Sequence, residues 1–495
     1  MTQRTTTQQP THSTEISVSV EQDNTSIFTE RRRTFSRAPE SELDYQENND
    51  LSETLSLDYP DGGVRAYLVV FGSFLGLTVD FGIVNSIGAI QAYLNLHQFK
   101  NVSTSVTSLI FSLFTFFTYA SIILSGSMFD ELGARIPMAI GIVLFFIGFF
   151  ACGSCNSVGS FIVTFSIIGG TSIGMLAGPL TGVISHWFMK NRAKAFGLCT
   201  LGSSVGGIMF PLLLDRLYKK LGFENAMRII ASLSTVLLIV ATTLITERES
   251  IKNSNSSNVV EDYDNDASEV ISIAGKLRTF GKRASCLAKK STEFKAMRDP
   301  KYFFCVIGAS FGELGLTCCL TYFASYVTFI GYSETKANTV ITILNTIGIA
   351  GRYIPNIFAD KIGSYNVMII MALLVGLSTL LIWLAWSSTS YSMASIYTFA
   401  VLYGFFSSSV FSLAPSCVGS ISPTKDFGKR YGTMFLFASV VLLVGMTIGG
   451  IIIGDESIES YRHFSLYCGL ISLVSFVMFV CSRYCQAGFK MLKKV

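Results

Sequence analysis

Charged side chains are scarce: Lys, Arg, Asp and Glu together make up 14% of the 495 residues. A soluble domain carries about 25%, so an ordinary water-exposed surface is excluded for most of the chain. Four histidines are present, and neither a phosphate-cradling glycine loop, a Ser-His-Asp set nor a His/Cys/Asp/Glu cluster can be assembled, which argues against an enzyme and against a bound metal or cofactor. The net charge of +4 is small and scattered, which leaves no basic footprint for nucleic acid. With no apolar run before about residue 66, a cleavable signal peptide is not expected, and the first membrane helix takes over targeting. Of the 11 cysteines, Cys199, Cys305, Cys318, Cys319, Cys417 and Cys468 fall inside apolar stretches, where they read as small packing residues. Cys152 and Cys155 have C-x-x-C spacing but no His or second pair beside them.

What the chain has instead is oil. Half of its residues are hydrophobic, 40 are Phe, and the mean hydropathy is +0.50. Crossing a bilayer takes about 20 apolar residues. Such runs occur at 66–93, 104–129, 136–153, 159–186, 196–214 and 228–245, then at 302–323, 335–358, 365–387, 391–417, 431–453 and 463–481. The expected fold class is an all-α membrane protein with twelve transmembrane helices in two pseudo-symmetric six-helix bundles, held in a lipid bilayer.

The doubling rests on a repeated loop. Gly126-Ser-Met-Phe-Asp130-Glu-Leu-Gly133-Ala-Arg135 sits between two apolar runs, and Asn356-Ile-Phe-Ala-Asp360-Lys-Ile-Gly363 returns 230 positions later. In each, an acid follows the end of a helix and a glycine lets the chain reverse. An Asp there can lie beside the positive N-terminus of a neighbouring helix or pair with a cation such as Arg192 or Arg430. Pro179 and Pro415, 236 positions apart, extend the repeat to the fourth and tenth runs, where glycines and serines let helices approach closely and proline interrupts the backbone ladder. The first and seventh runs each carry a buried acid, Asp80 and Glu313. Acids at that depth face a cavity or a partner, because exposure to lipid costs several kcal/mol.

The paired loops resemble the G-x-L-A-D-x-x-G-R-K loops of the major facilitator superfamily at Gly126, Asp130, Gly133 and Arg135, with a departure at Asn356 where glycine is usual. Phe188, Lys190, Arg192, Ala195, Gly197, Gly202 and Gly206 resemble the fifth-helix signature of the monocarboxylate-porter family, and Asp61-Gly62-Gly63 meets part of its first-helix signature before Val64 and Arg65 depart. In proton-coupled members an Asp stands four residues before an Arg in helix eight; here Arg352 matches and Gly348 stands at the Asp position. Phe411-Ser-Leu-Ala-Pro415, Leu320-Thr-Tyr322 and the stretch from Ile421 to Tyr431 are similar to the fungal, riboflavin-importing branch of that family.

That likeness implies facilitated uptake of riboflavin or a similar planar solute by a carrier that functions as a monomer. Asn85, Gln91, Asn345 and Thr321 have the groups to bond ring carbonyls or hydroxyls, and Tyr322, Tyr326 or Tyr403 to stack on a flat ring. Asp80, Glu313 and Arg352 complete the candidate site. Gly126, Asp130, Gly133, Arg135, Arg192, Asp360, Gly363 and Arg430 are the candidate gating residues. A carrier of monocarboxylates or other organic anions, with Arg352 holding the carboxylate, and a sensor signalling through its tail remain alternatives.

The organisation expected is a cytoplasmic tail at 1–59, bundles at 60–245 and 302–482, a central loop at 246–301 and a short tail at 483–495. Short loops divide their cations nearly evenly. Nine in the approach to helix seven (Lys276, Arg278, Lys282, Arg283, Lys289, Lys290, Lys295, Arg298, Lys301) and four in the last tail (Arg483, Lys490, Lys493, Lys494) place both termini and the central loop in the cytosol. The plasma membrane, and next the vacuolar membrane, are the expected locations. Asn101-Val-Ser103 would then face outward as a glycan acceptor, Cys481 and Cys485 would meet the inner leaflet as palmitoylation candidates, and Ser36 beside Arg31, Arg32 and Arg33 would be open to phosphorylation.

Overall fold

The computed structural model describes residues 59–248 and 294–488, except 101, 103, 455 and 456. The tail before Tyr59, the central loop from 249 to 293, Lys490, Lys493, Lys494 and the acceptor pair Asn101 and Ser103 lie outside the described residues. Within them the chain is helical, without a strand.

Among the described residues, ten helices are long and apolar enough to cross a membrane. One, Arg192–Leu244, spans 53 residues and holds two membrane crossings, because Gly222 inside it (φ 74°, ψ 176°) reverses the chain. The stretch Glu334–Ile362 has the length but not the hydropathy, and it completes twelve. In chain order these are α1 (Val64–Asn85), α2 (Thr104–Leu132), α3 (Arg135–Cys152), α4 (Val158–Trp187), α5 and α6 (Arg192–Leu244, before and after Gly222), α7 (Pro300–Phe329), α8 (Glu334–Ile362), α9 (Ser364–Ser390), α10 (Met393–Ser420), α11 (Phe427–Ile453) and α12 (Ile458–Ala487). The first run is interrupted at Ser86, whose hydroxyl donates back to the Gly82 carbonyl at 2.7 Å, and resumes as Ile87–Leu96.

Neighbours repeat under an exchange of halves. α2 lies against α4 as α8 lies against α10, and α2 meets α11 as α8 meets α5. Lipid supplies no hydrophobic drive between helices, so packing rests on small residues and hydrogen bonds. At the α2–α11 crossing a Cβ on Gly126 would collide with the Gly428 carbonyl. Backbone touches backbone there.

α8 differs from the others because Thr335, Asn338, Thr339, Thr342 and Thr346 recur at helical spacing along one face. The hydroxyls of Thr339, Thr342 and Thr346 donate to carbonyls one turn back, leaving their lone pairs turned outward. A neutral polar stripe at membrane depth belongs against water.

Candidate functional site

Both repeated acids end at a helix N-terminus of the opposite half. Asp130 accepts from the backbone N–H of Gly428 at 2.9 Å and of Lys429 at 2.7 Å, at the start of α11. Asp360 accepts from Ala193 at 2.9 Å and Lys194 at 2.8 Å, at the start of α5. Each carboxylate thus satisfies two of the donors that a helix start leaves over and sits at the positive end of its dipole. The cations of the same layer also bond to backbone carbonyls. Arg192 donates to the Gly419 carbonyl at 2.6 Å and Arg430 to the Ile421 carbonyl at 2.8 Å, both at the end of α10. Lys429 adds an ion pair to Glu131 across the halves, at 3.4 Å. Gly133 and Gly363 turn the chain at φ 83° and 102°. Arg135 is exposed at the start of α3, and the loop before it is held by Glu247, which accepts from the Ala134 N–H at 2.5 Å.

Deeper in, a second layer crosses between halves. Tyr119 of α2 donates to the Glu313 carboxylate of α7. Arg352 donates through Nε to Ser204 Oγ of α5 at 2.8 Å, its guanidinium lies 4.6 Å above the Phe411 ring, and that ring meets Phe81 of α1 edge-on at 4.9 Å. The bond to Ser204 places Arg352 two helical turns further in along α8 than Asp360. A Cβ on Gly348 would lie 2.5 Å from Ser408 Oγ and 3.4 Å from Ser204 Oγ, so the closeness of α8 to α10 and α5 fills the space that a carboxylate would need.

Two buried groups keep bonding capacity in reserve. Asp80 is fully buried, and neither carboxyl oxygen has a hydrogen-bond partner among the described residues. Arg352 Nη1 is in the same condition. Tyr431 lies within electrostatic range of both Asp80 and Glu313, which ties the two acids to one region.

The remaining candidates separate. Asn85 and Asn345 meet at Gly207, where an added Cβ would be 2.9 Å from Asn85 Nδ2 and 3.3 Å from Asn345 Oδ1. Thr321 is exposed, its hydroxyl donating to the Thr317 carbonyl at 2.8 Å; Gln91 is half-buried beyond the break at Ser86. Tyr322 packs edge-on against Phe464. Tyr403 is buried and donates to the Gly315 carbonyl at 3.1 Å, and Tyr326 is buried beside Ser387, so in this conformation both rings are packing, not platforms. Tyr403, Ser407 and Glu313 border a crevice of about 10 Å³, room for one water molecule. A flat solute needs the open side.

That side is visible from where contacts stop. Between α2 and α11 the approaches run from Asp130–Gly428 through Ile123–Gly432 to Tyr119–Phe435; between α8 and α5 they run from Asp360–Ala193 through Asn356–Gly197 to Asn345–Gly207. Past those levels Gly88 has nothing within 4 Å of an added Cβ, and Asn338 and Thr339 are exposed. Among the described residues, the contacts named here close the halves together on the face bearing the two acids, and these exposed positions lie toward the other face.

Tyr119 and Ser204 were not singled out from the sequence, although a signal existed. Tyr119 precedes Asp130, and Ala193 precedes Ser204, by 11 residues, about three helical turns, which keeps each pair on one face.

The family described as Major Facilitator Superfamily matches residues 67–363 and 354–488. Over 457 residues, 91% of this chain and 84% of the relative, the sequence is 36% identical to the riboflavin transporter MCH5 of Saccharomyces cerevisiae. It is 30% identical over 437 residues, 88% of this chain and 89% of the relative, to MFS-type transporter 1 of an Ophiocordyceps species. Among solved structures, the proton:xylose symporter XylE superposes with a TM-score of 0.63 at 14% identity, covering 83% of this chain and 94% of that one. The human organic anion transporter MFSD10 gives 0.59 at 16% identity, covering 84% and 99%. At such identities the likeness is one of fold.

Proposed function

Because the chain belongs to the major facilitator superfamily, we propose that it carries riboflavin, or a similarly flat and uncharged solute bearing hydroxyls, across a membrane by alternating access. The reciprocal capping of α11 by Asp130 and of α5 by Asp360 is the observation that carries this reading. Two acids, each holding the other half's helix, make a closure that must release as a unit when the bundles rock. We place the bundles at 60–245 and 302–482, the termini and the closed face in the cytosol, and the protein in the plasma membrane as a functional monomer. The conformation is then the one open to the outside.

The nature of the solute is supported by the relative at 36% identity and by the wall it would meet. Asn338, Thr339, Thr342 and Thr346 on α8 offer acceptors and an amide without charge. With Gly348 where proton-coupled relatives have an acid, transport runs down the solute gradient. The test is uptake of radiolabelled riboflavin and lactate into cells without carriers of their own, with and without a proton uncoupler. Riboflavin should accumulate to equilibrium regardless of the uncoupler. Absence of riboflavin uptake from correctly inserted protein refutes the choice of solute, and abolition by the uncoupler refutes the mode.

One observation favours a second reading. The unpartnered Nη1 of buried Arg352 suits a carboxylate, and an organic anion is the solute that would use it. Lactate uptake lost in Arg352→Gln would decide for that reading.

A further inference from the structure

The five residues before α1 take no part in the helical bundles, yet their contacts are specific. Asp61 adopts a left-handed backbone (φ 48°) followed by Gly62 and Gly63 at φ 159° and 90°. Its N–H donates to the Trp187 carbonyl at 3.1 Å. Its Oδ1 accepts from three successive backbone N–H groups of the α4–α5 turn, Met189 at 2.8 Å, Lys190 at 2.7 Å and Asn191 at 3.1 Å. A carboxylate with three donors is a firm anchor. Everything to that point lies within the first half.

Tyr59 then leaves it. Its hydroxyl shares a hydrogen bond of 2.9 Å with Thr424 Oγ1, and Thr424 is a buried residue of the turn joining α10 to α11 in the second half. The Tyr59 ring is steadied by Arg248, just past the end of α6, whose guanidinium lies 5.8 Å from its centroid. Residues 59–63 thus span the seam on the closed face, anchored on one bundle by Asp61 and fastened to the other, among the described residues, by the neutral Tyr59–Thr424 hydrogen bond.

We propose that this segment is a strap that prolongs the closed state of the Asp130/Asp360 face. Its fastening at Tyr59–Thr424 is weak enough to open in each cycle, while its anchor at Asp61 is not released. A neutral hydrogen bond biases two states by about fivefold, enough to set the fraction of time that the face stays shut without locking it.

The test needs no transported solute and so stands apart from the choice of riboflavin. Ser422, buried two residues before Thr424, is replaced by cysteine, a change of similar size. Its labelling by a membrane-impermeant maleimide is followed in inside-out vesicles, with the rate for the chain lacking S422C subtracted. Labelling should be slow in S422C. Adding Tyr59→Phe, which keeps the ring under Arg248 and loses only the hydroxyl, should speed it about fivefold, as should Thr424→Val. The combined Tyr59→Phe/Thr424→Val change should be no faster than either alone, since both remove one bond. Asp61→Asn, which frees the anchor, should label at least as fast as Tyr59→Phe. Fast labelling of S422C alone, an unchanged rate in Tyr59→Phe, or effects of the two substitutions that multiply would each overturn the strap. General loosening of the fold would give such multiplying effects and a lowered melting temperature, whereas removal of the bond leaves the melting temperature in place.

Discussion

The seam between α2 and α11 and the seam between α8 and α5 share one electrostatic device on two steric plans. In both, a carboxylate takes two N–H groups at a helix start, with four distances between 2.7 and 2.9 Å. The residues around them are not equivalent. The first seam has Gly126 facing Gly428 and Gly432 next to Ile123, so main chains meet directly. The second has Ala193 where the first has Gly428, and Asn356 where it has Gly126. Asn356 is fully buried and donates to the Arg352 carbonyl and to Ser412 Oγ, each at 2.7 Å, which ties it to its own half, while Gly197 opposite leaves it the space. The lesson is that the acid is the shared requirement, and the glycine four positions earlier is dispensable where the facing helix gives way.

The largest effect expected from this contrast is at Gly428. Replacing it by Val pushes a side chain into the Gly126 carbonyl and within 2.6 Å of Asp130 Oδ1, and overpacking of that kind costs about 1–3 kcal/mol. Uptake of the carried solute should fall by about a hundredfold with the protein still in the membrane fraction, whereas Ala193→Gly at the matching site should stay within about threefold. Equal losses at both sites would erase the steric distinction.

A smaller loss is expected from the acids themselves. Asp130→Ala and Asp360→Ala each remove two charge-assisted bonds, of about 1.5–3 kcal/mol apiece in stability terms, from one of the two states. Part of that is recovered by water at the opened face, so uptake should drop by about tenfold in either variant, and the two should agree within about threefold. Normal flux in correctly inserted Asp130→Ala would refute the closure outright; a large difference between the two would show that the seams do not share the load.

The smallest is expected at Asn356. Asn356→Gly restores the residue that the first seam uses, at the loss of two hydrogen bonds inside one half. Turnover should change by about two- to fivefold, and the melting temperature in detergent should move with it. A change as deep as that of Asp360→Ala would mean that Asn356 bridges the halves after all.

Much of this was legible beforehand. Hydropathy gave the spans, including α8, which is the least apolar of them, and the paired Asp loops gave the doubling. The partners of those loops were not legible, because Asp130 and the N–H groups it accepts from are 298 and 299 residues apart, and nothing local specifies which helix start will arrive. The same holds for Arg352. Its charge and depth marked it for attention, but Ser204 at 148 residues' remove is one hydroxyl among many. Asp61-Gly62-Gly63 stood out as a motif fragment, yet its role depends on a turn nearly 130 residues on. Tyr403 and Tyr326 show the converse: aromatic character was plain, while the side of the helix they occupy was decided by packing within the second bundle.

The polar face of α8 also bears on what must surround it. A segment holding Asn338, Asn345, Arg352 and a ladder of threonines partitions poorly into lipid by itself. α5 of one half and α10 of the other flank it. The polar segment is thus shielded from lipid by a helix of each half, so its place in the membrane depends on both.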